Sequence, residues 1–339
     1  MNRRSAIKLF GGTVGAAMLP LNFSGCDVGE AYARESIFQP TPEIPLTPTD
    51  DFYVNWCCGL PRAPEPARWR LHLRGLVRDP VTLTYDDLLA LPQVHREVTL
   101  ECVGNLPGGL LLSSGRFEGP LLRDVLARAR LEDAAHGLSL RGLDGYPSYM
   151  PRSEAEDDTA MLAHTLNGEP LRVENGAPVR ALFPGRYGLV AVKWLDSITA
   201  TRTYTPYGAL RGLGDPVAAR MRLRSRIDEP YDGRTVRVGR AVELRGLALA
   251  PGRGVSRVQV HADGSWQDAE LTFNTLTDER SPYLWSLWRF SWTPRRVGRH
   301  VLQVRAFDVD GATQDAHADF PYDSGAIHAV RVVAIEPAA

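Results

Sequence analysis

Apolar and polar positions alternate with two rhythms along the chain, and each rhythm predicts its own elements. Trp69, Leu71 and Leu73 alternate with Arg70, His72 and Arg74, the period-two pattern of a strand that Gly75 ends. The run from Tyr85 to Leu91 predicts a short helix. Over 97–103 a second strand is predicted, in which Val98, Leu100 and Cys102 alternate with Thr99 and Glu101 before Gly104 and Asn105 turn the chain. Gly119 and Pro120 open a helix over 121–129, where apolar residues recur at helical spacing. Further strands are predicted over 138–143, 179–183 and 190–201. Strands and helices mix without regular alternation, which predicts an α+β unit rather than a doubly wound one.

Past about residue 216 helical periodicity stops. Short alternating segments take over, at 234–238, 241–247, 255–262, 284–292, 300–308 and 326–333, separated by Gly, Pro and Asp turns. This pattern predicts an all-β sandwich of immunoglobulin type, with Trp285, Trp288 and Trp292 in its core. The 339 residues, 44% hydrophobic and 23% charged, suffice for two such cores. Net charge is −1 with arginines spread along the chain, so the electrostatic footprint of a nucleic-acid binder is missing.

The N-terminus reads as a targeting segment, 1–26. Arg3-Arg4 with Ile7-Lys8 precedes a short apolar stretch rich in Gly and Ala, in the manner of a twin-arginine export signal. Ser24-Gly25-Cys26 matches a lipoprotein cleavage box that would leave a lipid anchor on Cys26. The expected destination is the periplasm or cell envelope. Residues 27–49, rich in Pro and polar side chains, are expected to be a linker. Four cysteines, at 26, 57, 58 and 102, offer no disulfide framework; a bond between neighbours would be strained, so Cys57 and Cys58 are read as a small apolar pair. The chain has no C-x-x-C-H haem motif, so electrons must pass to another polypeptide.

Cys102, at the mouth of a predicted strand, is the candidate of most interest. Thiolate sulfur suits thiophilic metals, but one cysteine completes no such site, so the remaining ligands must come from a cofactor. The plainer reading is a small buried hydrophobe at a strand end.

The stretch 98–105, V-T-L-E-C-V-G-N, resembles the molybdenum-binding segment of the sulfite oxidase family. Three more segments match in the same order: D-D-F-Y-V at 50–54, N-G-E-P-L at 167–171, and N-G-A-P-V-R followed by F-P-G and V-K-W-L between 175 and 195. The resemblance implies a molybdopterin-binding catalytic domain over 50–215 and an immunoglobulin-like dimerisation domain over 216–336, hence a homodimer. The second domain is carried by V-x-V-x-x-D-G-S-W-Q-D-A at 258–269 and W-R-F-S-W at 288–292. It implies a molybdenum-molybdopterin cofactor with Cys102 as metal ligand and catalytic residue. Tyr53, Val54, Gly142, Asn175, Arg180, Ala191, Val192 and Lys193 would hold the pterin, with Arg180 and Lys193 meeting its phosphate. Both cations also read as solvated surface charges, but two of them inside otherwise apolar strands argue against that.

Departures from the family pattern leave the substrate open. Asn55, Cys57 and Leu106-Pro107 stand where sulfite oxidases carry Arg, His and Arg, and a tetrahedral anion favours forked, permanently charged donors. N-G-A-P-V-R and Arg186-Tyr187-Gly188 are similar to the catalytic subunit of the periplasmic methionine sulfoxide reductase, which lacks the second domain. Arg186 and Tyr187 are the candidates for a substrate channel; a surface loop is the alternative. The expected reaction transfers an oxygen atom to or from a small sulfur or nitrogen oxo-compound, exchanging electrons with a separate cytochrome or quinone-linked partner. A sulfoxide reductase and a cofactor-free envelope binding module are the rivals.

Overall fold

Residues 32–56, 58–203, 219–317 and 325–336 are described by the computed structural model of the chain. The export-signal region, Cys26 and Cys57 fall outside them. The first half is built on a five-stranded sheet in the order Val81–Thr84, Arg70–Gly75, Leu195–Thr201, Gly137–Gly142, Pro147–Pro151. Arg70–Gly75 pairs parallel with Leu195–Thr201, and the chain between them supplies the long crossover that a parallel pair requires. Leu71, Leu73, Leu138, Leu140 and Ile198 face a core that the helix Leu122–Ala127 covers with Leu122, Val125 and Leu126. The other predicted helix forms over Tyr85–Leu89, where Thr84 and Asp87 make a capping box.

A four-stranded sheet carries the cysteine segment. Gln93–Glu101 lies antiparallel to Leu112–Pro120, which continues to Thr165–Leu166 and Glu169–Pro170. Val98 and Leu100 point into a core with Phe52, Phe117 and Leu166. Strand pairing stops at Glu101, so Cys102 is the first residue beyond the strand rather than part of it.

Two expectations are corrected here. The strand expected over 190–201 begins only at Leu195: Gly188–Val190 is a 3-10 turn, and Trp194 sits at φ +51°, a left-handed conformation that a ladder does not tolerate. Lys193 therefore stands on an irregular segment, not inside a strand. Part of the expected linker belongs to the fold. Tyr32–Arg34 pairs with Val54–Trp56, and Thr47, fully buried, donates its N–H to the Ser114 carbonyl at 2.8 Å.

In the second half, a four-stranded sheet (Arg224–Glu229, Val242–Leu249, Ser286–Trp292, Glu270–Phe273) and a five-stranded one (Thr235–Arg237, His328–Ile335, Gly298–Asp308, Val255–Ala262, Ser265–Asp268) share one core. Trp288 and Trp292 lie in it, as their alternation predicts. Trp285 is buried elsewhere, in a cluster with Leu112, Tyr187, Leu247 and Leu249 that joins the two halves. Across this junction the Tyr283 carbonyl accepts from Thr99 N at 2.9 Å, and Arg280 forks onto Glu97 at 2.6 and 2.7 Å. No helix among the described residues is long and apolar enough to cross a membrane.

Candidate active site

The loop after Gln93–Glu101 is closed by its own backbone. Cys102 N donates to the Leu111 carbonyl at 3.0 Å, and Asn105 N donates to the Cys102 carbonyl at the same distance. Buried Asn105 locks this loop: its Oδ1 accepts from Leu111 N at 3.1 Å and its Nδ2 donates to Glu101 Oε1 at 3.1 Å. Glu101 is fully buried against Arg224 of the second half. Burial and the neighbouring Arg226 push Arg224 down to about 9, which leaves it a cation at neutral pH where it meets the Glu101 carboxyl group. Arg226 also donates to the Gly109 carbonyl at 3.0 Å, and the His328 ring packs on Gly108. The second half thus grips the cysteine loop from beneath.

Cys102 is the free cysteine among the described residues and is half-buried. Its sulfur accepts from Asn55 Nδ2 at 3.2 Å. Burial pushes the thiol up, while the Gly104 N–H and the Asn55 amide, which favour the thiolate, oppose the shift. The backbone carbonyl of the same Asn55 accepts from Lys193 Nζ at 2.8 Å, and Lys193 also donates to the Glu174 carbonyl at 3.0 Å. The ammonium lies over the rings of Trp56, at 5.3 Å, and Trp194, at 4.6 Å.

Arg180, expected beside Lys193, is buried. Its Nη1 donates to the Asn175 carbonyl at 2.9 Å and its Nη2 reaches the Ala191 carbonyl at 3.4 Å. Burial lowers it to about 10, still a cation. Gly176 holds the two cations together: at φ +108° its place is left-handed, and a Cβ there would stand 3.0 Å from Lys193 and 3.1 Å from Arg180. Tyr53 is buried, with its hydroxyl raised above the usual phenol range by burial and then by Cys102, against Arg180. Val54, Ala191 and Val192 are buried, Ala191 in the same core cluster as Tyr53, and Gly142 lies where a Cβ would meet the Lys193 carbonyl at 2.5 Å. Of the expected cofactor-binding residues, Lys193, Arg180 and Asn175 thus lie on one chain of contacts that starts at Cys102 and passes through Asn55 and Gly176.

Arg186 and Tyr187 are placed elsewhere. Arg186 pairs with Glu154 at 2.5 Å on the wall of a separate cavity of about 600 Å³, whose lining does not include Cys102. Tyr187 is fully buried, its hydroxyl accepting from Arg222 N at 3.3 Å. Neither is a surface loop residue. Sequence reading missed Asn55 as a partner of the sulfur, Gly176, and the Glu101–Arg224 pair. Asn55 was visible only as a departure from a pattern, and a pair 123 positions apart has no local signature. Cys58 is disulfide-bonded, which corrects its reading as half of an apolar pair; its partner lies outside the described residues.

Among the described buried polar atoms without a hydrogen-bond partner, two lie at this site: Nε of Arg180 and Oδ1 of Asn175. Such atoms cost about 1–3 kcal/mol each unless something satisfies them. With a sulfur donor, two cations and an unsatisfied amide oxygen, the residues fit a metal-carrying, phosphate-bearing organic cofactor. No group of three His, Cys, Asp or Glu side chains among the described residues could hold a metal alone. The fold and the residues at the site thus define a class of protein that binds a metal-carrying organic cofactor.

Comparison with known proteins gives the same class. Residues 58–207 match the family model described as oxidoreductase molybdopterin binding domain. Mitochondrial sulfite oxidase of Rattus norvegicus is 30% identical over 299 residues, 74% of this chain and 54% of that protein. A nitrate reductase [NADPH] of Emericella nidulans is 32% identical over 180 residues, 46% of this chain and 21% of its own. The crystal structure of the sulfane dehydrogenase SoxCD from Paracoccus pantotrophus shares the fold, with a TM-score of 0.72 at 20% identity, covering 88% of this chain and 87% of that one. The chain belongs to the sulfite oxidase family of molybdopterin oxidoreductases. The molybdopterin-binding domain over 58–207 implies a molybdenum-molybdopterin cofactor. It spans about half the length of the sulfite oxidase it matches.

Proposed function

We propose that the chain catalyses oxygen-atom transfer to or from a small sulfur or nitrogen oxo-compound in the manner of a sulfite dehydrogenase. The observation that carries this reading is the half-buried Cys102 thiol, held by Asn55 and linked through it to Lys193, Gly176 and the incompletely bonded Arg180. Bound molybdenum-molybdopterin supplies a metal that exchanges one oxygen atom and two electrons. The chain's own residues hold and shape it. Cys102 contributes the sulfur ligand, Arg180 and Lys193 meet the phosphate, and Asn175 offers its free amide oxygen to the pterin edge. Tyr53 stays protonated at neutral pH and remains a donor. Val54, Ala191, Val192 and Gly142 exclude water from that pocket. Oxidation of sulfite to sulfate takes an oxygen from water and releases two protons and two electrons; the electrons pass to a separate redox partner.

A sulfoxide reductase is the second reading, favoured by one observation. The side chain facing the sulfur, Asn55, is neutral, so it draws an anion less than a guanidinium would. Around this chemistry we place an exported, periplasmic or envelope protein with a twin-arginine signal, a lipid anchor at Cys26, a cofactor domain over 50–215 and an immunoglobulin-like domain over 216–336 that pairs two copies. The two facing sheets of the second half support the immunoglobulin-like reading of that domain.

The test starts with protein made in a host that synthesises the cofactor: about one molybdenum per chain with releasable pterin is expected. Turnover is then compared with sulfite and an artificial acceptor, and with sulfoxides and a reduced dye. Cys102→Ser should lose turnover and keep its unfolding temperature; a fully active variant would overturn the mechanism.

A further inference from the structure

We infer that the Asn55 side chain is a positioning residue for the metal-ligating sulfur and sets the redox poise of the cofactor. The inference rests on Cys102 being the metal ligand. Its geometry is specific. Asn55 Nδ2 stands 3.2 Å from Cys102 Sγ, while the Asn55 backbone carbonyl, not its amide group, carries the bond from Lys193 Nζ at 2.8 Å. One residue thus serves the metal end of the site with its side chain and the phosphate end with its backbone.

That division has a chemical meaning. An N–H aimed at a thiolate withdraws electron density from the sulfur, and does so more strongly when the metal is reduced and the sulfur richer in electrons. The bond therefore stabilises the reduced state and raises the potential. It also fixes where the sulfur lone pairs point. Val54 beside it is buried at 2% exposure and Tyr53 N is tied to Ser113 Oγ at 2.9 Å, so the backbone that presents the amide does not drift. An amide provides direction without adding a full charge, whereas a guanidinium in its place would add one and draw anions to the metal. Replacing the side chain leaves the Lys193 bond intact, so the two functions separate cleanly in experiment.

The test uses the full chain loaded with cofactor, with Asn55→Asp, which keeps the shape and loses the donor, and Asn55→Leu, which loses every polar atom. Molybdenum content, the sulfur-to-metal absorption band and the midpoint potential are measured. Both variants are expected to retain the metal, to shift the band to longer wavelength and to lower the potential, with Asp lowering it further because it adds negative charge beside the sulfur. Unchanged band and potential in metal-replete variants would overturn the inference. So would loss of metal from both at an unchanged unfolding temperature, since Asn55 would then retain the cofactor rather than tune it. Cys102→Ser separates the underlying assumption: because the cofactor brings sulfurs of its own, a metal-replete variant whose absorption spectrum is unchanged from the parent's refutes Cys102 as a ligand, whatever the Asn55 variants do.

Discussion

At the scale of single residues, the site depends on what small and neutral side chains permit. Gly176 is the clearest case, because any Cβ there would crowd Lys193 and Arg180 at once on a left-handed backbone. Gly176→Ala is expected to destabilise the apo-protein by about 1–3 kcal/mol in urea unfolding, and to purify with less molybdenum because the two cations are pushed apart. A variant as stable and as metal-rich as the parent would show that the spacing of the cations is not set there. Arg180 and Lys193 stand out in the sequence because their types and motif are distinctive. Gly176 lies inside the same motif, but its task depends on φ, which composition does not carry.

At the scale of elements, the buried Glu101–Arg224 pair joins the end of the Gln93–Glu101 strand to Arg224–Glu229. Removing one partner of a buried pair strands the other charge, at a cost of about 3–5 kcal/mol, whereas apolar replacement of both is close to neutral. Arg224→Met alone should therefore lower stability by that amount and loosen the cysteine loop. Adding Glu101→Leu should recover most of the loss, leaving a remainder from Asn105 Nδ2 without its acceptor. Additive costs in the double variant would argue that the two residues are not coupled. Elements with strict alternation were readable: Val255–Ala262 has the bounds the pattern predicts. The 190–194 segment was not, because its apolar run looks like a buried strand while Trp194 bends the backbone to seat its indole N–H on the Val173 carbonyl at 2.6 Å. The Leu112–Pro120 strand also escaped notice, since Ser113, Ser114 and Gly115 blur its period although all three are buried.

At the scale of the whole molecule, the junction between halves carries a pH dependence. His328 accepts from Ile227 N at 3.0 Å through Nδ1, so its neutral form is the one that fits. Burial, then Arg226 and Arg224, lower it from 6.5 to about 4, against Asp232. Between these values the unfolded chain binds a proton that the folded chain refuses, so stability rises with pH through the window and is lost as pH falls. Allowing for partial exposure, the loss between pH 7 and pH 4 from this group is about 2 kcal/mol. Urea midpoints at pH 7 and 4.5 should differ less in His328→Asn, whose amide oxygen keeps the Ile227 bond without titrating; an equal difference would place the acid sensitivity elsewhere.

Lys193 spans the distance between these scales. Its ammonium rests against two indoles, Trp56 and Trp194, on the path from the sulfur to Arg180. A cation held at that range perturbs the excited state of an indole, and an anion arriving at the ammonium changes the perturbation. The protein therefore carries its own optical gauge, in which ultraviolet emission follows the passage from empty to loaded chain without any added label.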